Sequence, residues 1–201
     1  MLDRKSLASA TVAVLNRGSR RNPDVLLVRD AGREYVVKDY APRGPWVRAT
    51  IAPWINNREI RAYQRLAGHP RVPRLLGRID PLAFAVEYRP GRPMSRRLAD
   101  EVSPRFVDEL EDAIRSMHAR GVAHLDLRHR TNVLEGEDGH PVLVDFASAV
   151  CFRPGGWAAR QILPLLARID LRALRKWKAR LRPRAAGEAP AVPRSAGRTR
   201  G

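Results

Sequence analysis

The sequence contains a single cysteine, Cys151, which excludes an internal disulfide and a cysteine-rich zinc site. It also lacks any run of about twenty apolar residues that would cross a bilayer as a helix. Hydrophobic residues nevertheless make up 44 % of the chain, which is enough for a packed core. These features predict a globular protein of a reducing compartment, and we expect it in the cytoplasm.

Acidic residues are scarce: 21 Asp and Glu oppose 38 Lys and Arg, which gives a formal charge of +17. Such a charge attracts nucleotide phosphates, anionic lipid, phosphorylated glycolipid or nucleic acid. The basic residues are spread along the chain without interleaved aromatic residues or a known nucleic-acid motif, which argues against nucleic acid. Arginine-rich composition on a solvated surface explains the charge equally well, so composition alone leaves the partner open.

Closely spaced polar residues between positions 124 and 145 carry the chemistry. His124 and Asp126 are followed by Asn132, and Asp145 closes the apolar run 142–144. Phosphoryl transfer requires a carboxylate near the attacking hydroxyl and oxygen ligands that hold Mg²⁺ against nucleotide phosphates. Asp126 fits the first requirement, and Asn132 with Asp145 fits the second.

A lysine and a glutamate further upstream extend this pattern. Lys38 lies near the end of the β-rich run 34–40, and Glu59 lies in a predicted helix over 57–66, 21 positions later. A strand lysine that binds phosphates and pairs with a glutamate of the next helix is the arrangement of a nucleotide phosphotransferase. The run 84–91 then resembles a hinge strand, on whose backbone groups an adenine docks.

In this order the motifs resemble the protein-kinase-like superfamily over residues 10–150. The closest match in style is its small bacterial and RIO-type members, including the Kdo and heptose kinases of lipopolysaccharide core synthesis. The resemblance implies ATP and Mg²⁺ as cofactors, and it assigns roles to eight residues. These are Asp126 as base or orienting group, Arg128 for charge on the transferred phosphoryl, Lys38 and Glu59 as positioning pair, Glu87 and Tyr88 at the adenine, and Asn132 and Asp145 on the metal.

The resemblance also implies an α+β, two-lobed kinase-like fold in a single domain over 1–181. Its N-lobe, about 8–89, has a small antiparallel sheet with strands near 11–15, 25–29, 35–39, 72–78 and 83–88. Its truncated helical C-lobe, about 90–181, has a helix from Ser103 to Gly121 and two basic helices over 157–166 and 171–181. We expect residues 182–201 to be a disordered basic tail rich in Pro, Ala, Gly and Arg.

Three departures from the kinase pattern concern the site. Six positions separate Asp126 from Asn132, where kinases have five, so one residue must be absorbed between them. Ala147 stands where the usual Asp-Phe-Gly has its glycine. No Gly-x-Gly-x-x-Gly is present, and residues 16–24 offer one glycine and three arginines in its place. We expect guanidinium groups to hold phosphates there more than backbone amides do.

An unusual insert at 42–55 places Trp46 and Trp54 beside arginines. A short segment of this kind can rest peripherally on an anionic membrane, here the inner face. The interpretation that we favour is that both tryptophans pack onto the N-lobe beside the Glu59 helix.

The predicted function is transfer of the γ-phosphoryl of ATP to an alcohol. The acceptor that we favour is a protein Ser/Thr hydroxyl. The alternatives are a sugar hydroxyl of a lipopolysaccharide core and a pseudokinase that binds a partner without chemistry. The altered loop and Ala147 favour the pseudokinase, whereas the presence of Lys38, Glu59, Asp126, Asn132 and Asp145 argues against it.

Overall fold

The first half of the chain forms one antiparallel sheet of five strands. The computed structural model describes residues 3–94 and 103–181, so the predicted tail over 182–201 lies outside the described residues. The strands are β1 (Thr11–Asn16), β2 (Asp24–Asp30), β3 (Arg33–Asp39), β4 (Leu75–Asp80) and β5 (Ala83–Glu87). Their order is β1-β2-β3-β5-β4, so β3 is central and presents Lys38 from the middle of the sheet.

Both faces of this sheet bury side chains, because strand side chains alternate between them. Val28 and Val37 face helix α1 (Arg4–Ala10), whereas Phe84 and Val86 enter the main core. The sequence pattern does not predict α1, since Leu7 is its one buried residue. A capping box at its N-terminus defines the helix instead.

Helix α2 (Ala52–Arg65) follows a π-helical turn at Val47–Ile51 and packs on the sheet. The favoured interpretation of the tryptophans in this region is wrong: Trp46 and Trp54 are both 61 % exposed. The Arg58 guanidinium lies 4.5 Å from the centre of the Trp54 ring, so the ring carries a cation on its face and does not enter the core.

The second half of the chain supplies helices and short strands. The helices are α3 (Pro104–Ala119), α4 (Trp157–Gln161) and α5 (Leu163–Leu181). The strands are β6 (Gly91–Pro93), β7 (Val122–Ala123), β8 (Val133–Gly136), β9 (Pro141–Leu143) and β10 (Val150–Cys151). Strands β6, β8 and β9 form one small sheet, and β7 pairs with β10. Together with the five-stranded sheet, this confirms the α+β class with a sheet-based N-lobe and a short helical C-lobe.

Two predicted boundaries are wrong for reasons that involve proline. Strand β4 begins at Leu75, after Pro73, which has no N–H for a ladder hydrogen bond. The break between the last two helices falls at Ile162 instead of after 166, because Pro164 occupies the first turn of α5, where a missing N–H is harmless.

One core joins the two halves of the chain. The same buried cluster contains Tyr63 and Phe84 from the N-lobe and Ile114, Phe146 and Trp177 from the C-lobe.

Among the described residues, no helix is long and apolar enough to cross a membrane.

Candidate active site

Lys38, Glu59 and Asp145 meet at the junction of the two lobes. The Lys38 ammonium lies 2.6 Å from Glu59 Oε1 and 2.5 Å from Asp145 Oδ1. The same Glu59 oxygen accepts a hydrogen bond from the Phe146 N–H at 3.1 Å. One buried lysine therefore joins the central strand, α2 and the segment after β9 through two ion pairs.

The electrostatics of this group are those of a buried, charged site. Burial would lower the pKa of Lys38, but the charges of Asp145 and Glu59 outweigh burial and raise it. Burial raises the pKa of Glu59 to about 7 against the opposing attraction of Lys38. The charge of Lys38 lowers the pKa of Asp145. At neutral pH, Lys38 is thus a fixed cation and Asp145 a fixed anion.

Asp126 and Asn132 form a second group on the loop over 124–132, which is called the catalytic loop below after its predicted role. The Asn132 side-chain amide donates to the Asp126 carbonyl at 3.0 Å and to Asp126 Oδ2 at 3.1 Å. The Arg128 guanidinium is 3.9 Å from Asp126 Oδ1, and its side chain is 79 % exposed. Within the described part of the chain, Asp126 Oδ1 accepts no hydrogen bond, and the Arg128 guanidinium is the cation beside it.

The extra residue of this loop is absorbed in a 3₁₀ turn at Arg130–Asn132. After this turn the Asn132 side chain is buried and bonded to Asp126, and the Val144 N–H donates to the Asn132 carbonyl at 3.0 Å. The insertion therefore leaves Asn132 at the strand end beside Asp145.

Buried His124 links the two groups. Its Nε2 lies 3.0 Å from the Val144 carbonyl, so this nitrogen carries the proton, and Nδ1 accepts from the Asp126 N–H at 3.4 Å. Burial lowers the pKa of His124, which keeps the ring neutral. The ring also packs on Phe146, with 4.7 Å between ring centres. This placement agrees with a structural role for His124.

Ala147 does not need the freedom of glycine in this fold. The left-handed residue of the segment is Asp145 itself, with φ 64° and ψ 71°, and a 3₁₀ turn at Phe146–Ser148 follows it. The Ala147 carbonyl accepts a hydrogen bond from the Arg58 guanidinium of α2. The contact ties the segment after Asp145 to the helix that carries Glu59.

The loop over 16–24 is closed by internal bonds. The Gly18 N–H donates to Asp24 Oδ1 at 2.8 Å, and Arg43 donates to the Gly18 carbonyl at 2.8 Å while pairing with Asp24. A Cβ at Gly18 would lie 2.1 Å from the Asn22 carbonyl oxygen, so only glycine fits. Three exposed arginines of the loop remain at its surface: Arg17, Arg20 and Arg21.

Glu87 is the last residue of β5, and Tyr88 follows it. The Glu87 carboxylate accepts from the Arg74 N–H at 3.0 Å, so it has a structural partner. Within the described ranges, no hydrogen bond occupies the backbone N–H or C=O of Tyr88. The assignment of both residues to the nucleotide stays a prediction.

Sequence reasoning missed Asp170 and Trp177, which hold the catalytic loop from α5. Fully buried Asp170 accepts from the N–H groups of His124 and Leu125, each at 2.8 Å. The Trp177 indole donates to the Leu127 carbonyl at 2.8 Å. The bonds from Asp170 hold Leu125 at φ 69°, a strained conformation for leucine, directly before Asp126. The only sequence clue is that Asp170 is the one acidic residue in a basic helix.

The residues present fit Mg²⁺ with ATP. In the part of the chain that the structure describes, no three His, Cys, Asp or Glu side chains form a metal cluster. Mg²⁺ requires few protein ligands when phosphates and water supply the rest. Asp145 offers a carboxylate and Asn132 an amide oxygen at adjoining strand ends, and Lys38 offers a buried cation for phosphate oxygens.

The sequence of the chain matches the model of a known protein family. No curated protein matches the chain. The family model described as "Phosphotransferase enzyme family" (APH) matches residues 13–194, which include every site residue named above. The chain therefore belongs to the phosphotransferase enzyme family, within the protein-kinase-like superfamily.

Proposed function

We propose that the protein is an ATP- and Mg²⁺-dependent phosphotransferase that moves the γ-phosphoryl group to an alcohol. The observation that carries this proposal is the double contact of Lys38 with Glu59 and Asp145 beside the bonded pair Asp126 and Asn132. A buried ion pair contributes little to stability by itself. Its position at the lobe junction supports a phosphate-binding role for Lys38.

Each side chain would have one task in the reaction. Bound Mg²⁺ would neutralise phosphate charge, with Asp145 and Asn132 as its protein ligands. Lys38, oriented by Glu59, would exchange its contact with Asp145 for phosphate oxygens. Asp126 Oδ1 would accept a hydrogen bond from the acceptor hydroxyl and then its proton, and Arg128 would offset charge on the transferred group.

The first candidate acceptor is a protein Ser/Thr hydroxyl. The second candidate is a sugar hydroxyl of a phosphorylated glycolipid, as in a lipopolysaccharide core. The arginines of the Asp126 loop favour this second class: Arg128 is exposed within 4 Å of the carboxylate, and Arg130 is exposed two positions later in the chain. A phosphorylated acceptor would complement this charge.

A transfer assay tests the proposal. Wild type, Asp126→Asn and the control Asp108→Asn, which alters an exposed carboxylate of α3, are incubated with γ-labelled ATP and lysate. With wild type and with the control, the label should enter either the protein fraction or the glycolipid fraction. With Asp126→Asn, the amount of label transferred should fall at least roughly hundredfold. Nucleotide binding by folded wild type without transfer to any fraction would support the pseudokinase instead.

A further inference from the structure

Exposed apolar side chains concentrate on the last two helices. Among the described residues, nine large hydrophobic side chains are exposed, and four of them fall within positions 157–169. Trp157 of α4 is 74 % exposed, and Leu165 of α5 is 57 % exposed. Ile162 and Ile169 complete the group. Four exposed apolar side chains within thirteen positions form a patch that needs an explanation.

The two faces of α5 are clearly distinct. Its inner face carries Asp170 and Trp177, which bond the catalytic loop, together with buried Leu174. The residues exposed along its outer face recur at helical spacing, as Ile162 before the helix, then Leu165, Ile169, Arg172 and Lys176. We call this set, with Trp157, Arg168 and Arg175, the outer α5 face.

The exposed charge on the segment that carries this patch has one sign. The segment 157–181 contains five arginines and two lysines, and its only acidic residue is Asp170. Because Asp170 is fully buried, this segment exposes no carboxylate. Glu111 of α3 pairs with Lys178, but Arg168, Arg172 and Arg175 have no carboxylate partner among the described residues.

An anionic bilayer fits these features better than other partners. A second copy of the chain would place like charges against each other. Nucleic acid would satisfy the cations but would leave Ile162, Leu165 and Ile169 without a use. An interfacial helix immerses Trp and aliphatic side chains at the headgroup boundary while its Arg and Lys side chains bind anionic headgroups.

We propose that the outer α5 face docks onto the surface of an anionic phospholipid bilayer. The helix would lie in the plane of the interface with Trp157, Leu165 and Ile169 immersed and Arg168, Arg172 and Arg175 at the headgroups. The opposite side of the same helix holds the catalytic loop, so docking leaves that loop free of the bilayer. The docking does not depend on phosphoryl transfer.

Vesicle co-sedimentation of the full chain tests this surface. The vesicles are phosphatidylcholine alone or with roughly a quarter phosphatidylglycerol. Wild type should bind the anionic vesicles and not the neutral ones. Leu165→Ser with Ile169→Ser should reduce the partition coefficient about tenfold, and Arg168→Gln with Arg172→Gln by a similar factor.

Matched controls separate docking from diffuse attraction of a basic chain. Arg33→Gln with Arg105→Gln removes the same charge from exposed sites elsewhere, and Trp46→Phe alters the exposed tryptophan of the N-lobe. Brominated lipid should quench part of the tryptophan fluorescence of wild type. This quenching should be absent in Trp157→Phe and should remain in Trp46→Phe.

Three results would overturn the proposal. The first is an equal loss of vesicle binding in the two double Arg→Gln variants, with no effect of Leu165→Ser with Ile169→Ser. This result would indicate nonspecific adhesion. The second is quenching that follows Trp46, which places the contact on the N-lobe. The third is no vesicle binding by folded wild type, as when the face is covered by another part of the chain. Unchanged thermal unfolding of each variant, followed by circular dichroism, establishes that it is folded.

Discussion

At the scale of single residues, Glu59 is a carboxylate held almost fully buried between a lysine and a backbone N–H. Burial raises its pKa from an ordinary 4.5 to about 7. Between these two pH values the native protein binds more protons at Glu59 than the unfolded chain does. The contribution of Glu59 to stability is therefore complete below about pH 4.5 and is lost as the pH rises through about 7.

Glu59→Gln removes this titration and so tests it. Between about pH 5 and pH 8, the free energy of unfolding of wild type should fall relative to that of Glu59→Gln by on the order of 1–3 kcal/mol. Urea denaturation of both proteins at several pH values measures the difference, in which the titration of other groups cancels. A difference that does not change with pH would contradict a raised pKa.

Each motif residue could be predicted from the sequence, because phosphoryl transfer limits the residue types that can serve and their order along the chain. Lys38, Glu59, Asp126, Asn132 and Asp145 stand in the order that the chemistry requires, and the structure brings them into two contacting groups. Asp170 was not predictable in this way. It acts on backbone N–H groups 45 and 46 positions away, and backbone groups leave no trace in side-chain patterns.

At the scale of elements, α5 holds the catalytic loop through the Asp170 carboxylate and the Trp177 indole. Asp170→Asn should lower kcat at least roughly tenfold and cost about 1–3 kcal/mol of stability, because an amide cannot accept both backbone bonds and the contact with His118. The affinity for ATP should change little, since Asp170 contacts no residue assigned to the nucleotide. Simple destabilisation would lower the active fraction and leave the pH profile of kcat unchanged. Steady-state kinetics over a range of pH, with Asp108→Asn as the control, distinguish that outcome from a displaced catalytic loop.

The loop over 16–24 is the second element with a testable role. Gly18→Ala should displace the loop, because its Cβ would collide with backbone oxygens of Asn22 and Pro23. The expected result is a KM for ATP raised by about tenfold with the fold intact. Gly44→Ala is the matched control, since its Cβ meets open space. Equal KM values for the two variants would mean that the loop does not position the nucleotide.

Elements with strong periodicity were predicted closely, and those defined by caps or by packing alone were not. The three strands β1 to β3 lie within two residues of their predicted bounds, and Ser103 caps α3 as predicted. Helix α1 was missed because its stabilising contacts are a capping box and Arg4, which binds Asp39 and Asp80 in the sheet. Such long-range ion pairs have no periodic pattern in the sequence.

At the scale of the whole molecule, a shared core predicts that the two lobes unfold together. Trp177 is 2 % exposed in this core and bonded to the catalytic loop, whereas Trp157 lies on the surface. Trp177→Ala should cost about 3–5 kcal/mol, and Trp157→Ala less than about 1 kcal/mol. Thermal unfolding followed by circular dichroism and by tryptophan fluorescence should give one coincident transition in wild type. Separate transitions for the two probes would contradict a common core.

The overall charge of +17 sets the environment in which this site works. It draws polyanions to the surface and leaves their chemistry open, which is why composition could not name the acceptor. The structure narrows the question by locating cations beside Asp126 and on the outer α5 face. These cations are the basis of the two proposals made above, an anionic acceptor and an anionic bilayer.

The most direct test of the account is Mg²⁺-dependent turnover of ATP by Asp145→Asn against wild type, with Asp108→Asn as the control. Asp145 is the residue assigned to both the metal and Lys38, so its loss should lower kcat at least roughly a hundredfold while thermal stability remains near that of wild type. Wild-type turnover in folded Asp145→Asn would contradict the assignment of this site to phosphoryl transfer.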